Sequence, residues 1–362
     1  MGLRWLQVLG KRLFFMVGII LLAQGGQAEL GYRATLTLPF SGGIPQLHGD
    51  LVPNDTGAAA VYSRPEAGGR LGLMFYRFAA DLSVLVERPV APEVVNHYEP
   101  SLCWDGQNYG VVSSTFNQAT FMILSPAGDI VLAPLQLPGP PAGEGWRTAA
   151  FRVLWTGNAY AVFGILAEPE YPWQTQGSYY THLTYWLLNG AGEVLAQKDL
   201  GSVTPLAYPS FEGAEKEYYD VVWTGAAFFL AHQWESTGFP PVFQIGYRMV
   251  DLQGNPLQAE APATTLPTKG AHLDTNGAAI GLACLRDEGI FGGNSLYARF
   301  FSLDGTPLGD EVRYDDTSAV PTGYAPQIFT YRGRFIATYV YPDPLSVQLE
   351  YVLKFAEFDG AG

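Results

Sequence analysis

Carboxylates, indoles and phenols gather in several short stretches of this 362-residue chain. Glu168, Glu170, Tyr171 and Trp173 stand together, as do Glu217, Tyr218, Tyr219 and Asp220. His97 and Glu99 flank Tyr98; Trp146 precedes Arg147; Trp234 precedes Glu235; Asp287 and Glu288 follow Arg286. Flat rings stack on sugar or peptide faces while neighbouring acids, amides and guanidinium groups bond hydroxyls and backbone. The expected ligand-binding set is therefore His97, Glu99, Trp146, Arg147, Glu168, Tyr171, Trp173, Tyr218, Tyr219, Trp234 and Glu235. The competing account is that these aromatics only pack loops onto strand ends. A pair such as Glu168 with Glu170, or Glu217 with Asp220, could perform acid–base work on a glycosidic bond if its carboxyls stood about 5–10 Å apart. Acids on solvated loops are the commoner case.

Other chemistries find little support. The five histidines, at 48, 97, 182, 232 and 272, show no metal-ligand spacing such as H-E-x-x-H. No G-x-S-x-G elbow occurs. Ser302-Leu303-Asp304-Gly305 resembles the aspartate box of sialidases but lacks the residue between Asp and Gly and the following aromatic, so it reads as a turn. Asp315-Asp316 and Asp287-Glu288 could hold Ca2+ with backbone carbonyls, yet no EF-hand or RTX pattern accompanies them. No cofactor and no catalytic residue are expected, and a binding role stands ahead of an enzymatic one. Asn54-Asp55-Thr56 is a formal glycosylation sequon.

The N-terminus points to export. Arg4, Lys11 and Arg12 precede the apolar run Leu13–Ala23, which is too short to span a bilayer comfortably, and Gly26-Gln27-Ala28 places small residues before a cut ahead of Glu29. Residues 1–28 are read as a signal peptide, with a secreted or periplasmic product and no stable membrane insertion after cleavage. Losing its three basic residues takes the formal net charge from −14 to −17. Such an acidic chain opposes nucleic acid and anionic lipid as partners. A carbohydrate or protein ligand fits better. The two cysteines, Cys103 and Cys284, fall in the second and fifth repeats described next. That places them too far apart for the Cα spacing of about 7 Å or less that a disulfide needs, so both are read as buried free thiols.

The elements that must position these residues repeat. Val153–Val162 returns as Val222–Leu230 and as Leu102–Val111: an apolar strand ending in Trp (Trp155, Trp223, Trp104), a tight turn at Gly, a second apolar strand. Weaker copies are Asp274–Leu282, Phe329–Ala337 and Asn54–Tyr62. The turn glycines are 57, 106, 157, 225, 277 and 333. A second hairpin alternates with the first: Leu124–Val131, Leu188–Leu195, Val250–Leu257 and Phe301–Leu308, with Phe78–Leu82 a degraded copy. Each unit thus has four strands, as in a propeller blade. The last unit stops after its third strand, Tyr351–Phe358, while Tyr32–Leu38 offers a spare strand with half-buried alternation. Pairing these ends completes a sixth blade and removes an open edge. The three tryptophans, from their place in the repeat, are expected in the core.

These repeats resemble those of secreted bacterial β-propellers, and loosely those of WD-repeat proteins in setting an aromatic near a blade turn. The resemblance implies one all-β domain over residues 29–362, a six-bladed β-propeller of four-stranded antiparallel blades closed by the N-terminal strand. Propellers serve as binding platforms or as enzyme scaffolds, and the fold does not choose between them. Tight turns on one side send the longer, aromatic-rich links to the other. The expected function is a binding or scaffold protein using that long-loop face. A glycoside-active enzyme and a structural subunit of an envelope complex are the alternatives.

Overall fold

The computed structural model describes residues 34–36, 49–54, 56–65, 71–80, 83–90, 98–114, 118–139, 147–169, 179–202, 219–235, 243–265, 268–287, 294–314, 326–342 and 351–358. Residues 1–28, the expected signal peptide, lie outside these. Every regular element among them is a β-strand. Strand β1 (Ala34–Leu36) comes first. Blade 1 is β2 (Gly49–Asn54), β3 (Gly57–Pro65), β4 (Leu71–Ala79) and β5 (Val84–Val90). Blade 2 is β6 (Tyr98–Trp104), β7 (Tyr109–Ser114), β8 (Ala119–Leu124) and β9 (Ile130–Gln136). Blade 3 is β10 (Arg147–Trp155), β11 (Tyr160–Pro169), β12 (Tyr179–Leu188) and β13 (Val194–Ser202). Blade 4 is β14 (Tyr219–Trp223), β15 (Phe228–Glu235), β16 (Phe243–Val250) and β17 (Ala261–Pro262). Blade 5 is β18 (Thr268–Thr275), β19 (Ala279–Asp287), β20 (Asn294–Ser302) and β21 (Val312–Arg313). Blade 6 is β22 (Gln327–Tyr331), β23 (Arg334–Pro342) and β24 (Tyr351–Phe358), completed by β1.

All six sheets are four-stranded, antiparallel and ordered by sequence except where β1 joins the last, which is the six-bladed β-propeller class. The terminal pairing is Ala34 with Leu353, Thr35 with Val352 and Leu36 with Tyr351, so the spare N-terminal strand does complete blade 6. The strands fall into two compact units, one holding blades 1–3 and the other blades 4–6 with β1.

Two local rules build each blade. Middle strands lie between neighbours on both sides and read as unbroken apolar runs: β7 and β8 are buried at every position, whereas β9 is mostly exposed. The turns need positive φ, which glycine adopts without strain. Gly106, Gly157, Gly225, Gly277 and Gly333 close first hairpins at φ between 78° and 97°. Gly192, at φ 81°, closes a second hairpin and meets a further demand: a Cβ there would lie 2.7 Å from Leu132 of the preceding blade. The second-hairpin turns are pinned by their leading polar residue. Ser302 Oγ accepts from Thr306 N at 3.1 Å, as Asp251 Oδ1 does from Asn255 N at 2.7 Å and Asn189 Oδ1 from Glu193 N at 2.9 Å. Ser302–Gly305 is thus one of these turns.

The tryptophans depart from expectation. Trp104, Trp155 and Trp223 are half-buried. Each ends its strand and packs on the residue opposite: Tyr109 at 4.5 Å between ring centroids, Tyr160 at 4.8 Å and Phe228 at 4.7 Å. Those partners, at 1%, 1% and 0% exposure, are the true core rings. The physical reason is position. The Trp covers the hairpin end, while its partner begins the second strand, which is flanked by strands on both sides.

The phenols also tie blades together. Asn54 Nδ2 donates to Tyr109 Oη at 2.7 Å, and one blade on, Tyr160 Oη donates to Asp105 Oδ2 in a short hydrogen bond. The sequon nitrogen at Asn54, the atom a glycan would take, is therefore engaged with Tyr109. Both cysteines are free and buried, and burial raises both thiols, Cys284 to about 12, which leaves them unreactive.

Candidate functional site

Strand register locates the expected ligand-binding residues where they are described. In every blade the first hairpin's turn marks one end, so the start of the first strand and the end of the second mark the other. Glu99 lies next to the start of β6, Arg147 starts β10 and Glu168 lies next to the end of β11. Arg147 pairs with Ala167, which brings it and Glu168 to one end of blade 3. In the other unit Tyr219 starts β14, and Trp234 and Glu235 finish β15. All six backbones sit at loop ends. Tyr219 is a core residue at 1% exposure, so its ring contributes packing. His97, Trp146, Tyr171, Trp173 and Tyr218 lie outside the described residues, as do Glu170 and Glu217. Of the acids considered for Ca2+, Asp287 ends β19, and Glu288, Asp315 and Asp316 lie outside the described residues. Among the described residues no three His, Cys, Asp or Glu gather as a metal site would require.

A second set of polar residues went unnoticed in the sequence. The first strand of each blade is an edge of its sheet, so part of its backbone N–H groups face away from any sheet partner. Side chains of the preceding blade take them up. Asp50 Oδ2 accepts from Leu102 N at 3.2 Å and from Ser101 Oγ at 2.8 Å. Ser101 Oγ in turn accepts from Val153 N at 3.2 Å. In the other unit, Asp220 Oδ2 accepts from Leu273 N at 2.9 Å and Asp274 Oδ2 from Thr330 N at 2.5 Å. Each of these aspartates also accepts its own following N–H through Oδ1, at 2.9, 3.0 and 2.8 Å for Asp50, Asp220 and Asp274. The carboxylates are held by backbone donors on both oxygens, which suits structure and stiffens the seam.

Bulges accompany part of this row. Register shifts fall just before Ser101, Arg152 and His272, the first strands' polar residues three positions ahead of Trp104, Trp155 and Thr275. A bulge re-aims the side chain that follows it. Ala150, at φ 54°, and Gly270, at φ 67°, supply the kinks in β10 and β18. His272 Nδ1 lies 3.8 Å from Asp220 Oδ2 and 3.4 Å from Ile328 N. A partial signal for the row is a polar residue three places before the end of four first strands, Ser101, Arg152, Asp220 and His272; Asp50 and Asp274 stand at other spacings. Asp220, weighed as an acid–base partner for Glu217, belongs to the seam instead: it is buried and bonded to Val221 N and Leu273 N.

Asp274 makes the seam sensitive to pH. Burial pushes its carboxyl up to about 6 against the opposing pull of the Thr275 and Thr330 N–H groups. A raised carboxyl binds its proton more tightly in the folded than in the unfolded chain. Its contribution is greatest below the ordinary carboxylate range and is lost as pH rises through about 6. Between pH 4 and pH 6.5 the native protein should lose roughly 2 kcal/mol relative to Asp274→Asn, the larger part of about two pKa units at 1.4 kcal/mol each. Urea titrations of both proteins across that range check this; a constant difference would refute it.

No protein-family model matches the chain, and no curated sequence matches it. Similar solved structures include the β-propeller domain of the Trilobed protease from Pyrococcus furiosus (11% identity, 86% of this chain and 82% of that one, TM-score 0.48). Another is the six-bladed β-propeller lectin of the fungus Aleuria aurantia (10% identity, 87% and 96%, TM-score 0.45). A third is a neuraminidase-like protein from A/bat/Guatemala (11% identity, 90% and 95%, TM-score 0.43). Identities this low carry neither ligand nor activity across to this chain.

Proposed function

We propose that this chain is an exported binding propeller that recognises a carbohydrate or protein partner through its long-loop face. The observation carrying this reading is register: Glu99, Arg147, Glu168, Trp234 and Glu235 all fall at or beside the loop ends of their strands, and the aromatic-rich links adjoin those ends in sequence. The opposite ends are taken up by tight glycine turns and the Trp-covered hairpins. The seam uses Asp50, Asp220 and Asp274 internally, which leaves recognition to the loop ends. Glycan-array and pull-down screens of residues 29–362 test it. The expected result is a glycan or protein ligand whose binding falls at least about tenfold in Trp173→Ala or Trp234→Ala. No ligand in either screen, with measured turnover of a glycoside, would overturn the reading in favour of the enzyme.

One observation favours a second reading, a structural subunit of an envelope complex. Among the described residues the exposed large hydrophobics are Val84, Leu85, Ile130, Val131, Val194, Leu195, Leu257 and Leu308. The first six open the outer strands β5, β9 and β13, and Leu257 and Leu308 precede β17 and β21. An apolar pair repeated on successive outer strands is a surface suited to protein contact. Assembly of the native chain that is lost in Val131→Lys/Leu195→Lys would favour this reading over the first.

A further inference from the structure

We propose that His232 and Glu260 form a proton-dependent latch that fastens the outer strand of blade 4. That strand needs one. β17 has only two residues, paired with β16 at Gly246 with Pro262 and Tyr247 with Ala261, and continued by Ala263 N donating to Ile245 O at 2.8 Å. Glu260 comes directly before it. His232 sits on β15 in register with Tyr219 of β14 and Gly246 of β16, so Tyr219, His232, Gly246 and Pro262 share one level across all four strands.

Glycine at 246 opens the path. A Cβ there would lie 3.0 Å from Glu260 Oε1, so the carboxylate crosses β16 over a position without a side chain. Its Oε2 reaches His232 Nε2 at 3.0 Å, with the two side chains 28% and 3% exposed. The other ring nitrogen, Nδ1, faces the Gln233 carbonyl oxygen at 3.4 Å. Both nitrogens thus face atoms that only accept. A neutral imidazole has one N–H; the imidazolium has two and serves both contacts.

The charged and titratable neighbours agree. Arg248 on β16 acts on Glu260, and Tyr219 is the facing group on β14. The His232 ring nitrogen 3.0 Å away holds the Glu260 carboxyl below its ordinary value, against burial. A depressed carboxyl contributes above the ordinary carboxylate range and is lost as pH falls through its lowered value. The latch is closed above that lowered value.

Amide hydrogen exchange of the full mature chain tests this. At pH 6 the protection of the Ala263 amide should fall at least about tenfold in Glu260→Gln, while that of the Leu308 amide in blade 5 stays unchanged. In the native chain Ala263 should also lose protection, after correction for intrinsic exchange, as pH falls through the lowered Glu260 value, and Glu260→Gln should lose this dependence. Gly246→Ala, which crowds the carboxylate without removing it, should weaken Ala263 in the same way. Ring nitrogen spectra should show two protonated nitrogens for His232 at pH 6. A neutral ring at that pH overturns the proposal, as does equal Ala263 protection in the native chain and a folded variant.

Discussion

Tyr160→Ala is expected to destabilise the protein by about 3–5 kcal/mol, the range for removing a large buried aromatic. The ring is 1% exposed and packs on Trp155 at 4.8 Å and Phe121 at 5.2 Å between centroids. It also lies over Gly110 of the preceding blade, where a Cβ would come within 2.6 Å of it. Truncation opens a void between two blades whose main chains are already committed to their ladders, so little collapse can fill it. The hydroxyl adds a separate loss. Tyr160 Oη donates to Asp105, whose other oxygen accepts from Gln107 N at 2.7 Å and Asn108 N at 2.6 Å in the turn. Burial first, and then this partner, raise the phenol far above its ordinary value, so it stays a donor throughout the working pH range. Tyr160→Phe should therefore cost about 1–3 kcal/mol, as for hydrogen bonds to charged groups. Trp155→Ala should cost about 1–2 kcal/mol, because the indole is only half-buried. Urea titrations rank the three; a larger loss for Trp155 than for Tyr160 would reverse the assignment of the core ring.

Deleting residues 29–39 should have a comparable effect through a different cause. Ala34–Leu36 is the outer strand for Tyr351–Leu353, joining residues more than 300 apart in sequence. Without it the backbone groups of β24 that face β1 lose their partners, and an edge opens that can pair with another chain. The melting temperature should fall by roughly 5–10 °C, and soluble aggregates should grow with concentration, given several lost ladder bonds at about 1 kcal/mol each. Inserting a flexible segment of similar length after Gly143 should be far milder, because lengthening a loop costs little. Differential scanning calorimetry with light scattering distinguishes the two. A deletion variant that melts like the native chain and stays monomeric would show that β1 is dispensable.

Much of the architecture was legible from local chemistry. The hairpin glycines stand out because a tight antiparallel turn needs positive φ, and Gly106, Gly157 and Gly192 supply it wherever the repeat returns. The middle strands stand out because burial on both faces demands unbroken apolar runs such as Ala119–Leu124. The complementary ends stand out because a blade with three strands and a spare strand elsewhere have one economical solution. The loop-end placement of Glu99, Arg147 and Glu235 followed from counting strands away from the turns.

The sequence by itself determined the repeat, the strand count, the turn positions and the pairing of the two ends, since each depends on residues adjacent in the chain or on a simple count. Only the tertiary structure decided which ring of each Trp–Tyr or Trp–Phe pair is core, because that depends on the strand packed alongside. It alone decided that Asp220 and Asp274 serve the seam, as their backbone partners Leu273 and Thr330 lie 53 and 56 residues away. It alone brought Glu260 over Gly246 to His232, 28 residues back along the chain. A hydrogen bond between strands of different blades, or across a blade, leaves no periodic trace in sequence. Its partners are chosen by the register and stacking of whole sheets, which no local propensity encodes.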